Sequence, residues 1–278
     1  MKYAIGIDIG GTNTKLGLVE LSGKVLAHDR FNTPDYKTFE SYVEMLSSRI
    51  KAMMDNSNGE CMGIGIGAPN GNFYKGSIDN APNLPFGKGE FMLVRELRNH
   101  FGLHHIYMTN DANAAALGEK IYGGAKGLEH FITITLGTGL GSGIVIDGKL
   151  LYGADGAAGE LGHTCAVPNG RLCNCGCRGC LETYASATGI KRTYFELLAF
   201  YGGGSQIQNK GYDEIDALAI ELAARAGDKI ALETYQKTGE ILGKNLANFV
   251  AFSRPQKIFL FGGPVKSGEL LLEPTRKA

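Results

Sequence analysis

The stretch IGIDIGGTNTKLGLVELSGKVL (residues 5–26) contains the pattern that decides the fold. An apolar, strand-like run leads into a Gly/Thr turn, a second apolar run follows, and a Ser-Gly pair precedes a third. The stretch ITITLGTGLGSGIVIDGKLL (residues 132–151) repeats this arrangement, with an Asp-Gly hairpin signal before its third run. Because one supersecondary unit occurs twice, the sequence predicts two related α/β domains, which we place at residues 1–118 and 119–278.

The Gly/Thr turns have a composition that suits phosphate binding. Backbone N–H groups of such a turn can converge on phosphate oxygens, because glycine has no Cβ to block the approach. Either turn alone is more typical of an ordinary hairpin, but two matching turns favour phosphate binding. Asp8 can hold Mg²⁺ through water, and Lys15 can offset charge on a transferred phosphoryl group. The residues of the first turn are Gly10, Gly11, Thr12 and Asn13.

Composition and charge argue against several classes of protein. Lys plus Arg number 28 and Asp plus Glu number 28, so no basic face for nucleic acid is expected. No apolar run reaches the ~18 residues that a membrane helix needs, and the strand-like start leaves no room for a secretory leader. We therefore expect a cytoplasmic protein without nucleic-acid or membrane partners. Its six cysteines are expected to be thiols or metal ligands rather than disulfides.

The segments GELGH (residues 159–163) and CNCGCRGCLE (residues 173–182) concentrate metal-binding residue types. Four cysteines and a histidine in one glycine-rich loop can close a tetrahedral zinc site. Glu160 and Glu182 flank the cluster, so a bound metal would also fix two carboxylates and shape a binding pocket. From spacing alone, an all-cysteine site of Cys173, Cys175, Cys177 and Cys180 competes with a site that includes His163.

Hydrophobic periodicity between these landmarks predicts an α/β chain. Helices are expected at residues 36–54, 92–101, 111–122, 183–201, 215–226 and 231–252. Strands are expected at residues 63–68, 105–108 and 258–261.

Four motifs together resemble the ROK family, which contains bacterial sugar kinases and sugar-responsive repressors. They are DIGGTN (residues 8–13), NDANAAALGE (residues 110–119), GELGH and the cysteine motif. The resemblance runs from Asp8 to about Gly263. It implies the actin-like, ribonuclease H-like ATPase fold, with two α/β domains around a cleft, and a homodimer. It also implies an ATP-dependent hexokinase, acting foremost on the 6-hydroxyl of glucose.

The resemblance also implies roles for individual residues. Asp111 would be the general base that accepts a proton from the sugar hydroxyl, and a plain helix N-cap is the compatible alternative. For Asn83, a turn residue is the alternative role. Asn70 and Gly71 would meet the sugar through their backbone. The full set of implied sugar contacts is Asn70, Gly71, Asn83, Asn110, Asp111, Glu160, His163 and Glu182.

For the nucleotide and the metals, the resemblance adds further residues. Gly137, Thr138 and Gly139 would form the second phosphate loop, and Gly262 and Gly263 would contact the adenosine. The zinc ligands would be His163, Cys173, Cys175 and Cys180, with Cys177 a spare thiol. The family usually continues past Gly263 with another strand and closing helices, so we expect ATP affinity to be affected in a chain that ends at Ala278.

Two other functions remain open at the level of sequence. A sugar-sensing transcriptional regulator would carry an N-terminal helix-turn-helix domain, which the sequence does not predict. A sugar-binding protein without kinase activity is the second. Glucose, N-acetylglucosamine, N-acetylmannosamine, fructose and allose are all candidate sugars.

Overall fold

The computed structural model describes residues 1–278 and divides into two compact units. The first comprises Met1–Gly127 and Leu150–Ala158, and the second comprises Leu128–Lys149 and Gly159–Ala278. The first unit therefore extends past residue 118, where the sequence analysis placed the domain boundary. It also takes in a short segment from the second half of the chain.

The main sheet of the first unit has five strands in the order β3-β2-β1-β4-β8. Strands β4 and β8 run parallel to β1, so their carboxyl ends meet at one edge of the sheet. Ligands of α/β sheets bind at such edges. The strands of this unit are β1 (Lys2–Ile9), β2 (Asn13–Glu20), β3 (Val25–Asn32), β4 (Glu60–Ala68), β5 (Gly71–Asn72), β6 (Ser77–Asp79), β7 (Glu90–Phe91) and β8 (Ile106–Asn110). Its helices are α1 (Phe39–Asp55), α2 (Leu93–Phe101) and α3 (Asp111–Ile121).

The core of the first unit follows from the two-residue period of its strands. Ile5, Ile7 and Ile9 of β1 are buried, and they belong to one cluster with Leu46 and Ile50 of α1. Alternate residues of a strand point to opposite faces, so Asp8 lies on the other face from these isoleucines. Burying each large aliphatic side chain contributes ~1.5–3 kcal/mol.

The segment 150–158 is held to the first unit by the loop after β5. The rings of Phe73 and Tyr152 stack with centroids 4.2 Å apart. The Tyr74 hydroxyl donates to the carbonyl of Gly153 at 3.0 Å. The Asn72 amide donates to the carbonyl of Asp155 at 2.9 Å. These contacts join residues 79 to 83 positions apart, so no local sequence pattern could have placed the segment in this unit.

The second unit has a four-stranded sheet in the order β11-β10-β9-β12, in which β12 runs parallel to β9. Its strands are β9 (Phe131–Leu136), β10 (Leu140–Ile146), β11 (Lys149–Leu150) and β12 (Lys257–Gly262). Its helices are α4 (Glu182–Ala185), α5 (Ala187–Tyr201), α6 (Ala217–Arg225), α7 (Lys229–Ser253) and α8 (Glu269–Lys277).

Capping residues explain where these helices begin. The helix predicted at 183–201 is two helices, because the Ser186 hydroxyl accepts a hydrogen bond from the N–H of Gly189 and starts α5. The Asp228 carboxylate caps α7 by accepting from the N–H groups of Ile230 and Ala231, at 3.0 Å each. Helix α8 was not predicted. None of the helices is at once long enough and apolar enough to cross a bilayer.

Candidate functional site

The turn between β1 and β2 contacts a second predicted site residue. The N–H of Gly10 donates to the carbonyl of Asn13 at 3.0 Å and closes the turn. A Cβ at Gly11 would lie 2.7 Å from the carbonyl oxygen of Asn83, so only glycine fits this approach. The Lys15 ammonium lies 3.3 Å from the Asp8 carboxylate, and both side chains are exposed. The structure thus brings the first phosphate-turn candidate next to Asn83, a sugar candidate.

Asp111 is the first residue of α3, directly after the end of β8. The Asn110 side chain accepts a hydrogen bond from the N–H of Asn113 at 2.7 Å and caps the helix. Asp111 accepts from the N–H of Ala112 at 2.8 Å. Asn110 therefore makes the N-cap, which was the alternative role considered for Asp111.

The environment of Asp111 changes its acidity. Burial raises the pKa of the Asp111 carboxyl above its usual value. The hydrogen bond from the Ala112 N–H lowers this pKa, and the negative charge of Asp8 raises it. Burial has the largest effect, so the net shift is upward. Nearby protein atoms cause this desolvation, although Asp111 as a residue keeps exposed surface.

Asn70 and Gly71 form a tight turn at the same sheet edge. Asn70 has a φ of 51°, and its amide donates to the carbonyls of Asp79 and Asn80 at 3.0 and 3.2 Å. A Cβ at Gly71 would lie 2.4 Å from the carbonyl oxygen of Thr109, so the turn packs directly on the end of β8. The Asn70 amide group therefore holds the loop together.

In the second unit, two glycine segments lie at one end of the sheet. The N–H of Gly137 donates to the carbonyl of Gly139 at 2.9 Å, and the start of α5 donates to the carbonyl of Gly137 at 2.8 Å. Gly262 pairs with Leu136 across the parallel strands. It has a φ of 108°, and a Cβ there would lie 2.0 Å from the Leu136 carbonyl oxygen. Thr138 and Gly263 follow in the same two segments.

The predicted sugar-binding side chains of the second unit lie close to this turn. The Glu182 carboxylate accepts from the N–H of Leu140 at 3.4 Å and lies 3.8 Å from His163 Nδ1. A single 3₁₀ turn connects Glu160 to His163, whose N–H donates to the Glu160 carbonyl at 3.1 Å. The Ser142 hydroxyl accepts from the N–H of Leu161 at 3.0 Å and donates to the Gly159 carbonyl, which fixes the same turn.

Four donor atoms form a cluster that could hold a metal ion. The ligand atoms of His163, Cys173, Cys175 and Cys180 all lie within 4.8 Å of one another. The sulfurs of Cys175 and Cys180 are 3.6 Å apart, and Cys173 Sγ is 3.7 Å from His163 Nδ1. Tetrahedral zinc with Zn–S bonds of about 2.3 Å needs sulfur–sulfur edges of roughly 3.8 Å, so the donor set fits this ion. Cys177 is exposed and lies outside the cluster.

The environment favours the thiolate form at one cysteine of the cluster, Cys175, whereas burial raises the pKa of Cys173 and Cys180. Burial raises the pKa of Cys175, but hydrogen bonds from the Cys177 backbone and from the thiols of Cys173 and Cys180 outweigh it and lower the pKa to about 7. The thiolate is the form that binds a metal.

Sequence reasoning missed two residues that hold this region, Ser142 and Arg171. The Arg171 side chain is only 8% exposed although it carries a charge. Its position two residues before Cys173 was an available signal, because a guanidinium beside a thiol-rich loop is expected to have a specific partner. Ser142 carries no comparable signal, since a serine in a glycine-rich strand is ordinary.

Comparison with known proteins gives consistent matches over nearly the whole chain. The ROK family pattern matches residues 4–278. A glucokinase of Thermotoga maritima is 37% identical over 281 residues, covering 98% of this chain and 86% of that protein. A xylose repressor of Caldicellulosiruptor bescii is 32% identical, covering 98% of this chain and 69% of that protein.

A solved structure extends the match to three dimensions. The ROK family glucokinase of Streptomyces griseus, in complex with glucose and AMPPNP, has a TM-score of 0.79 and 34% sequence identity. The alignment covers 99% of this chain and 88% of that one. This likeness confirms the predicted actin-like ATPase fold. The chain belongs to the ROK family, as its motifs predicted.

Proposed function

We propose that this protein is an ATP-dependent glucokinase, which transfers the γ-phosphoryl group of ATP to the 6-hydroxyl of glucose. The observation that carries the proposal is the 37% identity to a glucokinase across 98% of the chain. The solved relative that holds glucose and AMPPNP supports the same pair of ligands. The position and acidity of Asp111 are consistent with this chemistry.

Asp111 acts as the general base in this proposal. Its carboxylate accepts the proton of the sugar hydroxyl as that oxygen forms a bond to the γ-phosphorus, and the bond from phosphorus to the bridging oxygen of ADP breaks. The raised pKa makes the carboxylate a better proton acceptor than an ordinary aspartate. Its place at the start of α3 stabilises the anionic form before the proton arrives.

The glycine turns bind the phosphates of ATP. Backbone N–H groups of the turn from Gly10 to Asn13 and of the turn from Gly137 to Gly139 donate to phosphate oxygens. Lys15 balances negative charge, and Gly262 with Gly263 lets the adenosine approach the backbone. Asp8 would hold Mg²⁺ through water, and the ion would neutralise charge that develops on the transferred group.

The sugar is recognised by amide, carboxylate and imidazole groups. Asn83, Asn110, Glu160, His163 and Glu182 donate to or accept from its hydroxyls. Asn70 and Gly71 contribute their backbone. Carboxylates suit this task because their two oxygens can accept from a pair of neighbouring hydroxyls.

The cluster of His163, Cys173, Cys175 and Cys180 would hold a structural zinc ion. With four protein ligands, such an ion would have no direct part in phosphoryl transfer. These ligands would fix the loop that carries Glu182, two residues after Cys180. The edge lengths near 3.7 Å support this ligand set.

We place the protein in the cytoplasm, where ATP is available and cysteines stay reduced. We infer a homodimer from the family, and neither DNA nor membrane is needed for the reaction. The likeness to a xylose repressor favours one alternative, a sugar-responsive regulator. ATP turnover distinguishes the two functions, because a regulator needs to bind sugar but not to phosphorylate it.

The decisive experiment measures ADP formation with Mg-ATP and a panel of hexoses and N-acetylhexosamines. We expect glucose to give the highest kcat/KM. Asp111→Asn should lower kcat by about 10²- to 10⁴-fold, because removing a general base removes that share of the rate.

The matched control is Asp55→Asn, which makes the same chemical change at the exposed end of α1 and should leave kcat unchanged. Full turnover by Asp111→Asn would exclude Asp111 as the base. Sugar binding without any turnover in the unaltered protein would favour the regulator.

A further inference from the structure

Arg171 is a buried cation with an unusually complete set of partners. Its guanidinium donates to the carbonyl of Thr183 at 2.6 Å, to the carbonyl of Gly189 at 3.2 Å and to the hydroxyl of Thr193 at 2.9 Å. It also forms a two-pronged pair with the Glu196 carboxylate, with Nε 2.8 Å from Oε1. Five donors in a planar fork allow this geometry, which a lysine ammonium could not reproduce.

The backbone and ring contacts of Arg171 connect it to residues 173–182, which we call the cysteine loop. Its N–H donates to the Tyr184 hydroxyl at 2.9 Å, and its guanidinium lies 4.3 Å from the centre of the Tyr184 ring. Its carbonyl accepts from the N–H of Gly179 at 2.8 Å. The segment between Arg171 and Tyr184 contains Cys173, Cys175 and Cys180, so the contact with Tyr184 closes the base of the loop that carries three cysteines of the metal cluster.

The guanidinium of Arg171 also contacts the residue next to Glu182. Thr183, whose carbonyl accepts from the guanidinium, is the next residue after Glu182. The Glu182 carboxylate in turn lies 2.9 Å from the Cys173 sulfur and 3.4 Å from the N–H of Leu140 in the glycine turn. Arg171 therefore holds both ends of the segment 173–183 against α5. Glu182 belongs to this segment, so its carboxylate is fixed with it.

We propose that Arg171 is a positioning residue, which sets the Glu182 carboxylate for sugar binding and keeps the metal cluster closed. It touches neither substrate and acts through Glu182 and the cysteine loop. The part of this inference that concerns sugar rests on the proposed function, whereas the part that concerns the metal does not.

A purely structural role gives a different expectation. An arginine that only stabilised the second unit would lower the melting temperature when replaced, and the folded fraction would bind sugar and metal normally. A positioning role changes the KM for glucose in the folded protein and leaves the KM for ATP unaltered. The rate of zinc release would change in the same variant.

The experiment compares Arg171→Met, Arg171→Lys and the control Arg178→Met at a temperature where all are folded. Arg178 lies in the same loop but is exposed and makes one hydrogen bond, at 3.3 Å, to the Gly170 carbonyl. We expect Arg171→Met to raise the KM for glucose and the rate of zinc release about 10- to 100-fold, as for other residues that orient metal ligands. Arg171→Lys should restore only part of the loss, and Arg178→Met should match the unaltered protein.

An unchanged KM for glucose together with unchanged zinc release in folded Arg171→Met would overturn the proposal. If that variant does not fold, Glu196→Gln gives the same test, because it removes the negative charge that pairs with the guanidinium at an exposed position and leaves the core intact. A selective rise in the KM for glucose then supports the proposal, and no change in either quantity overturns it. Should the unaltered protein phosphorylate no sugar, the proposed function fails, while zinc release to a chromophoric chelator still decides the role of Arg171.

Discussion

At the scale of single residues, the proposed chemistry depends on a carboxylate whose pKa is raised by its place in the fold. Asp8 is the second-last residue of β1 and Asp111 begins α3, so the parallel strands bring two acids to one sheet edge. Burial raises the pKa of Asp111 most, and the charge of Asp8 adds to it. A general base works best when its pKa lies nearer the working pH, so both effects favour proton abstraction.

The first prediction concerns this pair of acids. Asp8→Asn should lower the pKa of Asp111, because the like charge that disfavours its ionisation is gone, whereas the effect of burial remains. NMR titration of the Asp111 carboxyl carbon measures the shift directly and does not need an active enzyme. In Asp55→Asn the pKa of Asp111 should stay as it is. An Asp111 pKa that is equal in Asp8→Asn and in the unaltered protein would contradict the coupling.

At the scale of elements, the turns of the two β-hairpins also contact predicted sugar-binding residues. The β1–β2 turn packs against Asn83, and the β9–β10 turn packs against Glu182. The contact at Gly11 needs a glycine, since a Cβ there would lie 2.7 Å from the Asn83 carbonyl oxygen. A Cβ at Gly139 would lie 2.8 Å from the end of the flexible Glu182 side chain, which would have to move. A phosphate candidate and a sugar candidate are thereby held together within each unit.

The second prediction tests the β1–β2 turn. Gly11→Ala should lower kcat/KM by about 10²-fold, because the new methyl group would displace the Asn83 backbone and a shift of about 1 Å in a positioning loop costs that much. Steady-state kinetics and thermal unfolding measure the effect. Gly65→Ala in β4 is the matched control, since its Cβ would meet open space. Equal kinetics in both variants would contradict the proposed role of the turn.

At the scale of the whole molecule, each unit has its own sheet and carries its own part of the proposed machinery. The first unit contains the hydrophobic cluster around β1 and α1 together with Asp111. The second contains the metal cluster, Glu160 and Glu182. A change in the metal cluster is therefore expected to act on the second unit alone.

The third prediction follows from this division. Removing zinc with a chelator should increase hydrogen exchange across residues 160–182 and weaken glucose binding more than AMPPNP binding, because the cysteine loop loses its cross-link. Hydrogen-exchange mass spectrometry and calorimetry measure the two effects, and adding zinc back should reverse them. Equal loss of glucose and AMPPNP binding would show that the metal supports more than its own loop.

Local patterns in the sequence determined much of this protein. Glycine turns, strand alternation and helical periodicity depend on neighbouring residues, so they predicted the α/β elements, the repeated hairpin and the ROK family. The motif with His163 also predicted the four residues that the structure brings into one cluster, although spacing alone left Cys177 as a rival.

Only the tertiary structure decided the contacts between distant segments. The segment 150–158 joins the first unit because Phe73 stacks on Tyr152, and Arg171 matters because Thr183, Thr193 and Glu196 surround its guanidinium. Such contacts depend on how whole elements pack, and no short window of sequence carries that information.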